Sequence, residues 1–175
     1  MQNDALRAEI VKVLTPLRRF AYALTGARHD ADDLLQATVE RVLERGMPEE
    51  ADVQKWSFRV CRNIWIDQVR AQKVRAPISD ESAIDRADSH DGERAVFAKI
   101  TFDQVNGAMG ALPADQRAAL GLVALEGMTY AEAATILDTP IGTVMSRISR
   151  ARQALAKALA EPVNPQFRHS ERSQA

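Results

Sequence analysis

The sequence has few features of a secreted, membrane-spanning or catalytic protein. Cys61 is its single cysteine, which excludes an internal disulfide and suits a reducing compartment. The helical pattern around Cys61 favours a small buried residue over a reactive thiol. The N-terminus lacks the apolar core of a signal peptide, and no segment approaches the roughly 18 apolar residues that a membrane-spanning helix needs. We therefore expect a cytoplasmic protein without membrane insertion.

Signals of catalysis are also lacking. The three histidines, His29, His90 and His169, fall in a predicted loop, a linker and a tail, and the chain has no glycine-rich phosphate loop. Asp32 and Asp33 are adjacent carboxylates, but neighbouring residues on a helix point in different directions. The sequence therefore argues against an enzyme, and it predicts neither a cofactor nor a metal site.

An overall basic charge is missing as well, since 23 Lys and Arg face 24 Asp and Glu. The charges are instead segregated along the chain. Residues 53–75 hold six basic side chains and one acid, residues 76–94 hold six acids and two basic side chains, and residues 138–160 are basic again. Contacts with nucleic acid are therefore expected from local basic segments and not from net charge.

Apolar residues recur at helical spacing along most of the chain. In its first half the pattern predicts helices over residues 4–24, with Pro16 marking a kink or a break, over 30–45, with Asp30 as N-cap, and over 53–75. The charged side of the second of these helices is expected to be solvated or to bind a partner.

The predicted helix 53–75 carries both tryptophans and most of the basic residues of the first half. Trp56, Val60 and Ile64 share one side, which is expected to pack inward, whereas Trp65 lies on a different side. Aromatic and basic residues interleaved on one helix suit single-stranded nucleic acid, because cations neutralise phosphates and rings stack on bases. Core tryptophans beside a solvated arginine face remain the alternative.

The second half follows an acidic connector, residues 76–95, which shows no helical or strand period and is expected to be a flexible linker. Helical patterns resume over 96–109 and 114–126. Two short amphipathic segments, 130–137 and 141–158, come next, and only three residues separate them. So tight a turn between helices is typical of a helix-turn-helix motif.

The second helix of this motif has one apolar side and one polar, basic side. Thr139 and Pro140 supply a cap and a first-turn residue for it. Its polar side carries residue types that bond phosphate oxygens or base edges in the major groove. These are Thr143, Ser146, Arg147, Ser149, Arg150, Arg152 and Gln153. An ordinary surface helix with a solvated basic side is the alternative.

Three motifs occur in a characteristic order: DADDLLQATVERVLER (30–45), KWSFRVCRNIWIDQVR (55–70), and LPADQRAAL with TYAEAATILDTPIGTVMSRISRARQAL (112–155). With them the chain resembles sigma factors of the sigma-70 family, in the extracytoplasmic function (ECF) group, over roughly residues 6–159. The resemblance implies an all-α fold of two small helical domains joined by a flexible linker. Its parts are region 2 (1–75), the linker (76–95), region 4 (96–160) and a disordered tail (161–175).

By the same resemblance the protein directs core RNA polymerase to specific promoters. Polymerase is contacted at the β flap and at the β′ clamp, the latter through the helix 30–45. The implied clamp-binding residues are Asp32, Asp33, Gln36, Glu40 and Arg41. The implied contacts to the minus-10 element are Arg59, Arg62, Asn63, Trp65, Asp67 and Arg70, with Asn63 near a captured base. The implied contacts to the minus-35 element are Thr143, Ser146, Arg147, Arg150 and Arg152.

The resemblance further implies an anti-sigma factor that covers polymerase-binding surfaces until a signal arrives, and a linker that passes near the RNA exit path. Two positions depart from the family pattern. Met145 stands where many relatives have a basic residue, so a contact to the DNA backbone is lost or replaced by an apolar one. Ser57 stands where a larger apolar residue is common, which changes the packing there.

Two other functions fit parts of the sequence. A helix-turn-helix regulator that binds DNA without polymerase explains residues 129–152 but leaves 30–45 and 53–75 without a role. A sigma mimic that titrates an anti-sigma factor would have a similar sequence. We expect such a mimic to have lost the basic promoter-reading residues, and they are present here.

Overall fold

The computed structural model of the protein describes the backbone of residues 2–75 and 93–160 and the side chains of 4–74 and 101–160. The described residues contain helices and no strand, which confirms the all-α fold. The helices are α1 (Gln2–Thr25), α2 (Arg28–Arg45), α3 (Val53–Arg75), α4 (Glu93–Gly110), α5 (Ala114–Leu120), α6 (Tyr130–Leu137) and α7 (Ile141–Ala160). The tail prediction and most of the linker prediction fall on 161–175 and 76–92, which lie outside these ranges. The last three residues of the predicted linker, 93–95, belong to α4. No described helix is long and apolar enough to cross a membrane.

The first half, α1 to α3, is a three-helix unit in which each helix packs on the other two. α1 runs unbroken through Pro16, so the predicted break is absent. A proline inside a helix removes one backbone hydrogen bond. Here the apolar stripe of α1 extends on both sides of it, with Ile10, Leu17 and Leu24 all buried. Packing of that stripe offsets the missing bond.

α2 begins two residues earlier than predicted, and Asp30 is not its N-cap. Gly26, with φ of 78°, ends α1 in a left-handed conformation, and Ala27 is the N-cap in extended backbone without a side-chain cap. Asp30 lies instead in the first turn, where a negative charge is favourable because the helix dipole is positive at that end.

The side of α3 that faces the core also differs from the prediction. Trp56, Val60 and Ile64 are only half-buried, whereas Phe58 and Trp65 are 0% and 5% exposed. α3 packs on α1, α2 and α6, so more than one of its sides is covered. The spacing of apolar residues along α3 does not show which of its sides is buried most completely by the neighbouring helices.

The core of the first half includes an edge-to-face pair of rings, Phe20 and Phe58, whose centroids are 5.1 Å apart. Ser57 is 2% exposed, so a small hydroxyl side chain occupies a buried position next to this pair. Cys61 is fully buried, and burial raises the pKa of its thiol to about 12, partly opposed by a hydrogen bond with Thr38. The expectation of a small buried cysteine is confirmed, and a raised pKa disfavours the thiolate.

The second half, α4 to α7, packs around α7, which contacts α4, α5 and α6. α5 continues into a π-helical turn, Gly121–Leu125, which crosses α1. A Cβ atom on Gly121 would lie 3.3 Å from two ring carbons of Phe20, so a residue without a side chain permits this close approach. Buried apolar residues of both halves form one continuous cluster.

Candidate nucleic-acid interface

The residues predicted to contact the minus-10 element lie along α3 and differ in exposure. Asn63, Asp67 and Arg70 are exposed, and Arg59 and Arg62 are half-buried. Trp65 lies in the core under another side chain, because the guanidinium of Arg117 is 5.3 Å from its ring centroid. In this arrangement Trp65 is inaccessible to a nucleobase.

A cavity of about 180 Å³ opens beside Asn63, between α3 and the end of α2. The Nε1–H of Trp56 is buried and has no hydrogen-bond partner within the described residues. The Oδ1 atom of Asn63 accepts a bond of 3.1 Å from Arg62, which leaves its amide N–H groups free to donate. The lining residues are Arg41, Arg45, Gly46, Trp56, Arg59, Val60, Asn63, Ile64 and Asp67. Mixed apolar and polar walls, with the amide donors of Asn63 and the carboxylate of Asp67, suit a planar ring with polar edges, such as a nucleobase.

The residues predicted to bind polymerase share the open side of α2. Asp32, Asp33, Gln36, Glu40 and Arg41 are all exposed. The opposite side of α2 packs on α1 and α3, and it buries Ala31, Leu34, Thr38 and Val42. Asp32 accepts two hydrogen bonds, of 2.7 and 2.9 Å, from Arg18 of α1, and Gln36 donates to Glu40 at 2.9 Å. The result is a polar surface on a rigid helix.

The helix-turn-helix motif has the predicted form, with α6 and α7 joined by residues 138–140. Asp138 ends α6 in the left-handed conformation, with φ of 51°. At the other end of α6, Thr129 and Glu132 form a capping box. The backbone N–H of Thr129, with Lys55 and the Thr129 hydroxyl, lowers the pKa of Glu132 from 4.5 to about 2. These bonds fix where α6 starts.

The exposed side of α7 carries most of the residues predicted to contact the minus-35 element. Ser146, Arg150 and Arg152 are exposed, whereas Thr143 and Arg147 are half-buried. The hydroxyl of Ser146 donates to the backbone oxygen of Thr143 at 2.9 Å. Val144, Ile148 and Ala151 form the buried side of the helix. The apolar side chains of Ile141 and Met145 are 48% and 52% exposed and lie four residues apart on the open side.

Charged side chains of opposite sign face each other where the halves meet. The first half supplies the cations Arg19, Lys55, Arg59 and Arg62, and the second half the carboxylates Glu126, Glu132, Asp138 and Asp115. We call these four contacts the interhalf ion pairs. Their shortest N to O distances are 2.7 Å for Arg19–Glu126, 3.1 Å for Lys55–Glu132, 3.2 Å for Arg59–Asp138 and 2.9 Å for Arg62–Asp115. Arg147 also contacts Asp115, at 3.2 Å.

Polar and aromatic contacts accompany the ion pairs at this boundary. The side chain of Asn106 donates to the backbone oxygen of Gly26 at 2.8 Å, and the rings of Tyr22 and Phe102 stack with centroids 6.1 Å apart. Sequence reasoning did not identify these contacts, since each joins residues about 80 positions apart. Among the described residues no group of His, Cys, Asp and Glu is placed to hold a metal ion.

Comparisons with known proteins match both halves of the chain. A family model described as sigma-70, region 4, matches residues 102–155, and the model of the sigma2 domain of PhyR matches residues 10–61. The chain is 34% identical to the ECF RNA polymerase sigma factor EcfG of Rhodopseudomonas palustris, over 90% of this chain and 86% of that one. It is 32% identical to the ECF RNA polymerase sigma factor SigM of Bacillus subtilis, over 83% and 90% of the two chains.

Two solved structures are similar over most of the chain. One is the sigma factor RpoE of Bartonella quintana in complex with the anti-sigma factor NepR, with a TM-score of 0.69, 29% identity, and coverage of 89% of this chain and 97% of that one. The other is CnrH in complex with the cytosolic domain of CnrY, with a TM-score of 0.65, 23% identity, and coverage of 89% and 88%. The second likeness concerns the fold alone.

Proposed function

The chain belongs to the extracytoplasmic function group of sigma-70 family RNA polymerase sigma factors, and we propose that it directs core polymerase in the cytoplasm to promoters with specific minus-10 and minus-35 elements. We propose further that it helps to open the DNA. The observation that carries this proposal is the cavity beside Asn63, because a nucleobase-sized site lined by the Asn63 amide on a basic helix suits the capture of a flipped base.

Opening DNA needs no catalytic group. The protein must bind the separated strand more tightly than the duplex, so that binding offsets an unstacking cost of a few kcal/mol per flipped base. In the proposed complex Asn63 and Asp67 bond the edge of the captured base, and Arg59, Arg62 and Arg70 contact phosphates. Trp65 can contact DNA only if the guanidinium of Arg117 moves away from its ring.

We propose that α7, the second helix of the helix-turn-helix motif, binds the minus-35 element. The N-terminal part of such a helix enters the major groove, where side chains meet base edges. Thr143, Ser146, Arg147 and Arg150 are the proposed base and phosphate contacts, and Arg152 is a phosphate contact. The exposed thioether of Met145 suits an apolar contact, for example with a thymine methyl group.

Two surfaces of the protein are proposed to bind polymerase. The exposed side of α2, with Asp32, Asp33, Gln36, Glu40 and Arg41, is proposed to dock on the β′ clamp, and the second half on the β flap. α2 suits this role because its polar residues project from a helix held on two sides by α1 and α3. The proposed division is region 2 over residues 1–75, a linker over 76–95, region 4 over 96–160 and a tail over 161–175.

Control by an anti-sigma factor is the third part of the proposal. It is supported by the similarity to a sigma factor whose structure was solved with the anti-sigma factor NepR, at 29% identity over 89% of this chain. By analogy, the partner covers polymerase-binding surfaces until a signal releases the protein.

The test is run-off transcription with purified core polymerase on upstream fragments from the genome of origin. We expect discrete start sites that require the protein. Asn63→Ala should reduce their yield by about tenfold or more through loss of base capture, and Arg147→Ala by a similar factor through loss of minus-35 contacts. Lys12→Ala, on the exposed side of α1, is the control and should leave the yield unchanged.

Two outcomes would contradict the proposal in different ways. If polymerase binds the protein but no start site appears, the chain acts as a mimic that competes for an anti-sigma factor. If the protein binds duplex DNA while polymerase ignores it, the chain is a simple helix-turn-helix regulator.

A further inference from the structure

One edge of α7 exposes apolar side chains that the core does not use. The buried side of this helix consists of Val144, Ile148 and Ala151. Ile141 and Met145 are instead 48% and 52% exposed. Successive residues of an α-helix are turned by about 100°, so both lie beside the buried stripe, at the border of the open side. We call Ile141 and Met145 the apolar edge.

The space around the apolar edge is open. Gly142 follows Ile141 in the first turn of α7, and a Cβ atom on Gly142 would have no close neighbour among the described residues. Glycine is less favourable than alanine within a helix, and no described contact requires it at this position. The missing side chain therefore allows a partner molecule to approach the apolar edge closely.

The side chains around the apolar edge indicate the chemistry of this partner. Ser146, Arg150 and Arg152 lie on the same open side and are exposed. Guanidinium groups suit a polyanion, and hydroxyl and guanidinium groups also bond the edges of bases. In the major groove, the apolar group that a base presents to a side chain is the C5-methyl group of thymine. An apolar edge among cations therefore matches duplex DNA that presents thymine methyl groups.

We propose that the apolar edge reads methyl groups, so that the minus-35 duplex has thymine at the base pairs that Ile141 and Met145 face. The inference rests on the proposed function, in which α7 binds the minus-35 element. The two residues are separated by about 6 Å along the helix axis, because each residue rises by about 1.5 Å. That length is close to two base-pair steps of about 3.4 Å, so methyl groups on nearby base pairs are within reach of both side chains.

The size of the effect follows from the apolar area that is removed from water. Burial of one methyl-sized group corresponds to about fourfold in affinity. Two independent contacts multiply to roughly tenfold or more. Methyl contacts therefore add sequence selectivity that the phosphate contacts of Arg152 cannot supply, since every sequence has the same phosphates.

The experiment uses holoenzyme assembled from purified core polymerase and the full chain. Upstream fragments from the genome of origin are selected by retention on this holoenzyme. Thymines of the selected minus-35 element are then replaced by deoxyuridine, which lacks only the methyl group. We expect the parent to bind the deoxyuridine duplex about tenfold less tightly than the thymine duplex. Equal binding of the two duplexes by the parent, or a selected element without thymine on either strand, would overturn the inference.

Substitutions at the apolar edge test the two side chains directly. The double variant Ile141→Thr/Met145→Gln replaces them by polar side chains of similar size, and it should bind the thymine and deoxyuridine duplexes equally. Met145→Leu keeps an apolar side chain and should keep the discrimination. Val11→Thr is the matched control, because it changes a residue of α1 that is also apolar and 65% exposed. Loss of discrimination in Val11→Thr would show that the effect arises outside the apolar edge.

A further pair of duplexes separates the methyl group from the rest of the thymine base. Cytosine at a position read by the edge changes the hydrogen-bonding groups, and 5-methylcytosine adds the methyl group without restoring them. We expect the parent to bind the 5-methylcytosine duplex about fourfold more tightly than the cytosine duplex, and the double variant to bind them equally. Equal binding by the parent would overturn methyl readout and leave the shape of the thymine-containing duplex as the recognised feature.

Met145→Arg gives a readout that a change in packing alone would not move. A guanidinium at this position adds a phosphate contact, so the slope of log affinity against log salt concentration should steepen by about 0.9. Discrimination between thymine and deoxyuridine should fall to about fourfold, which Ile141 supplies. An unchanged salt slope would place residue 145 away from DNA and overturn the inference.

Failure of the proposed function gives a different result. If the holoenzyme retains no genomic fragment above a random-sequence control, the proposed function fails and this inference fails with it. If fragments are retained and direct discrete start sites, but the parent does not distinguish thymine from deoxyuridine, the inference alone fails.

Discussion

Arg117 joins the two halves through carbonyl groups and not through a carboxylate. Its guanidinium donates to the backbone oxygens of Leu24 at 2.7 Å and Leu112 at 3.1 Å, and also to that of Gly110. It lies over the ring of Trp65 as well. Burial lowers the pKa of Arg117, because the surroundings disfavour the charged form. The side chain is therefore expected to matter for stability more than an exposed arginine does.

Replacing this side chain tests that expectation. Arg117→Met keeps much of the volume but removes the donors, which leaves partly buried carbonyl oxygens without these bonds, so the free energy of unfolding should fall by about 2 kcal/mol. Arg7→Met, at an exposed site of α1, should change it by less than about 0.5 kcal/mol. Urea unfolding followed by circular dichroism measures both, and equal values would contradict the role given to Arg117.

The role of Arg117 could not be read from the sequence, although the segment LPADQRAAL that contains it was recognised. Its acceptors belong to residues 24, 110 and 112, and the ring belongs to residue 65. Only the tertiary arrangement brings these groups together. Asn63 is a different case, because the family resemblance singled it out and the structure shows it exposed on α3.

Helix boundaries could be predicted well where strong local signals exist. α3 and α6 have the predicted bounds, because Gly46 and Pro48 precede α3 and a threonine cap starts α6. The orientation of α3 could not be predicted, since its apolar residues lie on more than one side and α6, far along the chain, covers one of them.

The capping box of α6 gives a prediction about pH. The carboxylate of Glu132 has a pKa of about 2 in the folded protein and 4.5 ordinarily. Its contribution to stability is therefore fully present above pH 4.5 and is lost as the pH falls through about 2. Glu132→Gln should be less stable than the parent near pH 6, and the difference should shrink toward zero near pH 2.

Thermal unfolding at a series of pH values between 2 and 6 measures this difference. Glu44→Gln, which removes an exposed carboxylate of α2, is the control for the change in net charge. The prediction would be contradicted if the difference in melting temperature between the parent and Glu132→Gln stayed constant over the whole pH range.

Among the residues that the structure describes, buried apolar side chains form a cluster that spans both halves, and this feature predicts cooperative unfolding of the molecule. Trp56 and Trp65 report on the first half by their fluorescence, and a dye on Lys157→Cys reports on the second. We expect the same urea midpoint from both probes. Gly121→Val forces a side chain against Phe20 and should separate the midpoints, whereas Gly107→Val should not, because the space around a Cβ atom there is open. Two transitions in the parent would show that the halves fold independently.

The interhalf ion pairs segregate charge completely, since every cation comes from the first half and every carboxylate from the second. This has a consequence for chimeras. A hybrid of this first half with the second half of another sigma factor receives a new set of side chains opposite Lys55, Arg59 and Arg62. Promoter preference can then be transferred while the contacts between the halves are not. Exchange of halves between sigma factors is therefore expected to yield proteins that differ in stability even where they read the same DNA.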